Sequence, residues 1–129
     1  MASDPSNRAR KAPELPEPIA TFVRATNNGD REALLGLFAD RALVNDNLRE
    51  YRGCVATADW ADQQVLAQRL QIATQDLVVD GDQVTLRAIV DGDFDKRGLP
   101  DPLLLSFYFS VRHGRIVQLV ILRNEADDE

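Results

Sequence analysis

Apolar residues recur at helical spacing in the first half of this chain and at every second position in the last half, and the fold divides where the period changes. Ile19, Phe22, Val23 and Thr26 share one helical stripe, which predicts a helix opening near Leu15-Pro16-Glu17-Pro18. Proline is tolerated there because a first-turn N–H has no helical partner. Asn27-Asn28-Gly29-Asp30 then supplies a glycine stop and an aspartate N-cap. A second helix over about 31–39 would bury Leu34, Leu35, Leu37 and Phe38. Ala42–Asp46 reads as a short strand, with Arg49–Arg52 as a bent continuation ending at Gly53. A third helix over about 55–68 would turn Val55, Ala58, Ala61 and Val65 inward.

Beyond residue 69 the period is two. Leu70, Ile72 and the run Gln75–Val79, the turn Asp80-Gly81-Asp82, and then Val84, Leu86, Ala88 and Val90 predict a hairpin. The loop Lys96–Pro102 leads to a long strand, Leu103–Val111, and Arg112-His113-Gly114 turns the chain into a last strand, Ile116–Leu122. Helices first and a meander afterwards predict an α+β domain, three N-terminal helices packed on one face of a curved antiparallel sheet. Residues 1–14 are polar and read as a disordered leader, 15–123 as the domain, and 124–129 as an acidic tail.

Composition narrows the partners more than the fold. The 129 residues fit one domain, and a net charge of −6 argues against nucleic acid and anionic membrane surfaces. No apolar run approaches the roughly 18 residues of a membrane span, and no signal core opens the chain. The single cysteine, Cys54, excludes an internal disulfide framework and suits a reducing cytoplasm.

The break Asn28-Gly29-Asp30, the run Leu37-Phe38-Ala39-Asp40 and the closing hairpin Phe109-Ser110-Val111-Arg112-His113-Gly114-Arg115-Ile116-Val117 resemble, in this order and spacing, the nuclear transport factor 2-like superfamily. That superfamily includes ketosteroid isomerase and the SnoaL-like polyketide cyclases, and the resemblance covers roughly residues 15–123. It implies a cone-shaped (cystatin-like) fold with a ligand cavity between helices and sheet. The segment Val90–Pro102 looks like a subfamily of uncharacterised bacterial members. Counting from Phe38, the isomerase base position falls on Asp46. The position of the isomerase tyrosine, eight residues before Asp30, is Phe22 here. That of its protonated aspartate, eight before Gly114, is Ser106. The family's two oxyanion donors are therefore replaced. The Asp-Arg-Asp arrangement of the limonene-epoxide-hydrolase branch has only Arg87 and Asp91 as candidates.

Asp46 either loses solvation at the cone and acts as a base, or is an exposed turn residue in Asn45-Asp46-Asn47. Ser106 and Tyr108 share a strand face with Leu104, and the resemblance turns that face toward the cavity. Ser106 and Tyr108 would then donate to a developing enolate, and Trp60, Phe22 and Leu104 would form the apolar wall. The opposite face, with Leu103, Leu105, Phe107, Phe109 and Val111, would pair with a second copy in a homodimer. Trp60 serves equally as core packing or as a ligand platform. His113 falls at a turn tip, and Asp91, Asp93 and Asp95 lack the EF-hand pattern, so no metal and no cofactor is expected. Cys54 reads as an inert small residue. Two functions stand side by side: cofactor-independent proton transfer on an apolar carbonyl compound, or non-catalytic binding of a hydrophobic molecule. A purely structural partner protein is a third.

Overall fold

Pro16 caps and Pro18 opens helix α1 (Glu17–Asn28), which buries Ile19, Phe22, Ala25 and Thr26 on one stripe. The computed structural model describes residues 15–123, so the expected leader and acidic tail lie outside the described residues. Gly29, at φ 67°, closes α1 in the left-handed conformation that glycine adopts without strain. Asp30 then caps α2 (Arg31–Leu35), its carboxylate accepting from the Ala33 N–H at 3.2 Å. This second helix is only five residues long, against the nine or so expected. Strand pairing wins the remainder: the Leu37 carbonyl accepts from Ile116 at 2.8 Å, and Phe38 already sits in register with Ile116.

Strand β1 (Phe38–Asp46) is accordingly longer than expected. Arg49–Arg52 is not a continuation of it but a separate strand, β2, folded back antiparallel through Asn47-Leu48. Both turn residues have positive φ, 54° and 77°, the geometry of a tight hairpin turn. Helix α3 (Gly53–Trp60) runs directly into a π-helical segment, Ala61–Leu66. Its buried face is Thr57, Trp60, Ala61 and Val65, whereas Val55 is 75% exposed. The widened turn shifts the helical phase, so a 3.6-residue period extrapolated back from Val65 picks the wrong residue at the start.

The remaining strands are β3 (Gln71–Asp80), β4 (Gln83–Asp91), β5 (Leu103–Arg112) and β6 (Arg115–Arg123). Together they form a six-stranded sheet in the order β2-β1-β6-β5-β4-β3. All neighbours are antiparallel except β1 and β6, which run parallel. That pairing brings the ends of both strands together and sets Asp46 beside Ile121. Val84, Leu86, Ala88 and Val90 are buried as predicted, and their cross-strand partners are Phe109, Phe107, Leu105 and Leu103. No helix among the described residues is long and apolar enough to cross a membrane.

Asn27 clamps the helical layer to the sheet. Its side chain accepts from the Ile72 N–H at 2.6 Å and donates to the Ile72 carbonyl at 3.0 Å, and Gln71 donates to the Asn27 carbonyl. Asn27→Ala strands two backbone groups of a buried residue, and each unsatisfied group carries a desolvation cost. We expect a loss of about 1–3 kcal/mol, read as a lower midpoint with unchanged slope in urea denaturation.

Candidate functional site

Asp46 ends β1 on the face that carries Val44, toward the helices. Trp60, the last residue of α3, is 1% exposed and donates its indole Nε1–H to Asp46 Oδ2 at 2.9 Å. Phe38 packs edge-on against that indole at 6.0 Å, so an aromatic ring from the start of β1 braces the donor for the carboxylate at its end. Burial pushes the Asp46 carboxyl above its usual range. The Trp60 hydrogen bond and the charge of Arg49, its partner across the hairpin turn, offset part of that rise.

Asp46 borders two adjoining spaces. The inner one, about 40 Å³, lies between α1, α3 and β5 and is walled by Phe22, Trp60, Leu105, Phe107 and Ile121, with Thr26 as its one hydroxyl. The outer one, about 230 Å³, opens to solvent past Gln64, Gln68, Leu70, Phe94 and Leu99. Asp46, Leu70, Leu105 and Ile121 line both. A carboxylate so placed is partly desolvated, fixed by one donor, and part of the lining of both spaces.

Of the residues expected at the site, Asp46, Phe22 and Trp60 come together. Leu104, Ser106 and Tyr108 do not. Their neighbours Leu105 and Phe107 line the cavity, and Phe107 and Phe109 meet Phe22 at 5.9 and 5.2 Å. Strand alternation therefore turns Leu104, Ser106 and Tyr108 to the outer face of the sheet, where Tyr108 is 42% exposed. Ser106 faces Arg87 across β4 and is covered rather than offered to a ligand. The same inversion moves Leu105, Phe107, Phe109 and Val111 from the expected outer face to the core, and Leu103 to the wall of the outer space. The β4 stripe held the missing signal, because antiparallel partners share a face and Val84 to Val90 is plainly buried.

The charged candidates pair with one another. Lys96 bridges Asp91 at 3.1 Å, Arg69 bridges Asp93 at 3.0 Å and Arg97 bridges Asp95 at 2.8 Å. No cluster suited to a metal exists among the described residues. Arg87 reaches Asp76 at 3.4 Å on the outer face, so the Asp-Arg-Asp arrangement is not assembled in the cavity. His113 and Cys54 are both exposed.

The chain resembles known structures over most of its length. A structure from Sinorhizobium meliloti described as a candidate polyketide cyclase is 32% identical, with a TM-score of 0.74, over 83% of this chain and 94% of the other. The Δ5-3-ketosteroid isomerase of a Mycobacterium species is 21% identical, with a TM-score of 0.67, over 84% of this chain and 91% of the other. A ketosteroid-isomerase-like protein from Catenulispora acidiphila, solved with trimethylamine, is 20% identical, with a TM-score of 0.70, over 84% and 85% of the two chains. No curated protein matches. The SnoaL-like domain profile matches residues 19–119, nearly the whole of the described fold, and the chain belongs to that family.

Proposed function

We propose that the cone binds a small apolar carbonyl compound and that Asp46 removes a proton from the carbon beside the carbonyl, returning it elsewhere on the same molecule. Enolisation of this kind needs a base and an acceptor for the developing charge, and no cofactor. One observation carries the reading: Asp46 is a half-buried carboxylate whose pKa burial raises, held by Trp60 where two apolar spaces adjoin. A carboxylate whose pKa is raised is a stronger base, and accepts a proton from carbon more readily, than an ordinary solvated one. The trimethylamine bound by the Catenulispora protein supports small-molecule binding by this fold.

Binding without turnover is favoured by a different observation. Phe22 stands where the resemblance puts the isomerase tyrosine, and Ser106, at the other donor position, faces away from the cavity; losing one such donor typically costs about 10²–10³ in rate. In either case we propose a homodimer through the outer sheet face, now formed by Ile89, Leu104, Tyr108 and Val120 rather than by the buried Phe107 and Phe109.

A carboxyl-carbon NMR titration of Asp46, with cyclohexanone added, tests the pocket. The expected result is a pKa above the ordinary carboxylate value that rises further with ketone, since the ligand displaces remaining water. An ordinary value indifferent to ketone would leave a solvated turn carboxylate and end the enzyme reading.

A further inference from the structure

Thr26 presents a hydroxyl with nothing to bond. The residue is 3% exposed, and its Oγ1 has no hydrogen-bond partner among the described residues. A helical threonine ordinarily satisfies itself on the carbonyl one turn back, and folded proteins keep few buried hydroxyls unpaired. Thr26 lies one turn beyond Phe22 on α1 and lines the inner chamber with Asp46 and Trp60. The indole N–H of Trp60 is already committed to Asp46, and the other lining side chains are hydrocarbon. Thr26 is thus the one uncommitted donor in the chamber.

Resting on the carbonyl-binding reading above, we propose that Thr26 is the donor to the ligand's oxygen. The two spaces set the orientation. About 40 Å³ holds little more than a water-sized group, so only the carbonyl tip of a ligand enters the chamber. The body of the ligand stays in the mouth of about 230 Å³, against Leu70 and Leu105. Asp46 borders both spaces and so lies beside the carbon adjoining the carbonyl. When its carboxylate takes the proton from that carbon, the C–H electron pair moves into the new C=C bond and negative charge gathers on the oxygen. The Thr26 O–H keeps its proton and its hydrogen bond strengthens. A single neutral donor facing a carboxylate also sets the ligand class: neutral ketones and aldehydes are accepted, while an anionic tip meets the charge of Asp46.

The test compares cyclohexanone with methylenecyclohexane, which has the same shape and no oxygen. Binding is followed on the indole N–H resonance of Trp60, the sole tryptophan. Thr26→Val keeps the shape and removes the donor, and Thr26→Ser keeps the donor. We expect Thr26→Val to bind cyclohexanone about 3- to 10-fold more weakly, the worth of one hydrogen bond. Thr26→Ser should stay within a few-fold of wild type, and the hydrocarbon should show no loss in Thr26→Val. The infrared carbonyl stretch of the bound ketone should be red-shifted in wild type and return toward its value in hexane in Thr26→Val. Equal affinity and an unchanged stretch in Thr26→Val would overturn the assignment while leaving the ketone pocket intact. Failure of cyclohexanone to bind wild type would overturn both. Should Thr26→Val fail to fold, the stretch in wild type decides: a position matching hexane excludes a donor to the oxygen.

Discussion

Asp46→Asn is expected to slow deuterium exchange at the α-carbons of cyclohexanone by about 10²–10⁴-fold, the usual contribution of a positioned base, while ketone affinity stays within a few-fold. The assay needs no knowledge of the natural substrate. A ketone in D₂O loses its α-hydrogen as a proton to the base and regains deuterium, and proton NMR counts the loss. The variant keeps the size of the side chain and an acceptor oxygen for the Trp60 N–H, so the pocket stays formed while the base is gone. The wild-type rate should rise with pH as Asp46 ionises and level off above its folded pKa. Stability should move the other way. The folded carboxyl holds its proton more tightly than the unfolded one, so its contribution is favourable below the ordinary value of 3.8 and is lost as pH rises through the folded pKa. Near neutrality the full desolvation cost is present, and Asp46→Asn should therefore be more stable than wild type, by between about 0.5 and 2 kcal/mol. A variant that exchanges as fast as wild type removes Asp46 from the chemistry. A wild type that binds the ketone without accelerating exchange makes the cone a binding site.

Asp46 was singled out by the family resemblance, counted from Phe38, and not by its own local pattern, in which Asn45-Asp46-Asn47 fits an exposed turn equally well. The Asn27–Asp30 punctuation and the period-two runs after residue 69 are local signals, and local signals survived folding. Four features depended on contacts across the chain and did not show. The second helix yields to β1 because Leu37 and Phe38 pair with Ile116, nearly eighty residues on. Asn27 reads as a turn residue and is instead a clamp on Ile72. The face of β5 is not set by its own pattern: a strand with five apolar residues on one side fits a core or an interface equally. Only its register against β4 assigns them to the core. The Trp60–Asp46 bond joins residues fourteen apart whose meeting depends on where α3 ends. Thr26 was visible as part of the inward stripe of α1, but its missing partner is a property of the packed site alone.

The β5 inversion can be tested where its energetic consequence is largest. Phe107 is 2% exposed, 5.9 Å from Phe22 and 6.3 Å from Phe109, and forms part of the inner chamber wall. Phe107→Ala should cost about 3–5 kcal/mol, the transfer energy of the ring plus the cavity it leaves. Because the ring faces the helices, that loss should be the same at every protein concentration, and any concentration dependence of the Tm should survive the substitution. An interface residue would behave otherwise: its loss would weaken association and flatten the dependence. Removing the ring also enlarges a chamber that is otherwise almost entirely hydrocarbon, and apolar cavities of this kind take up benzene. Saturating benzene should thus raise the Tm of Phe107→Ala more than that of wild type, by mass action on the folded state. A loss under about 1 kcal/mol would contradict full burial of the ring, since a deleted core aromatic cannot be so cheap. The complementary substitution, Tyr108→Ala on the outer face, should leave the chamber and its response to benzene unchanged, because successive side chains on one strand stand on opposite sides of the sheet.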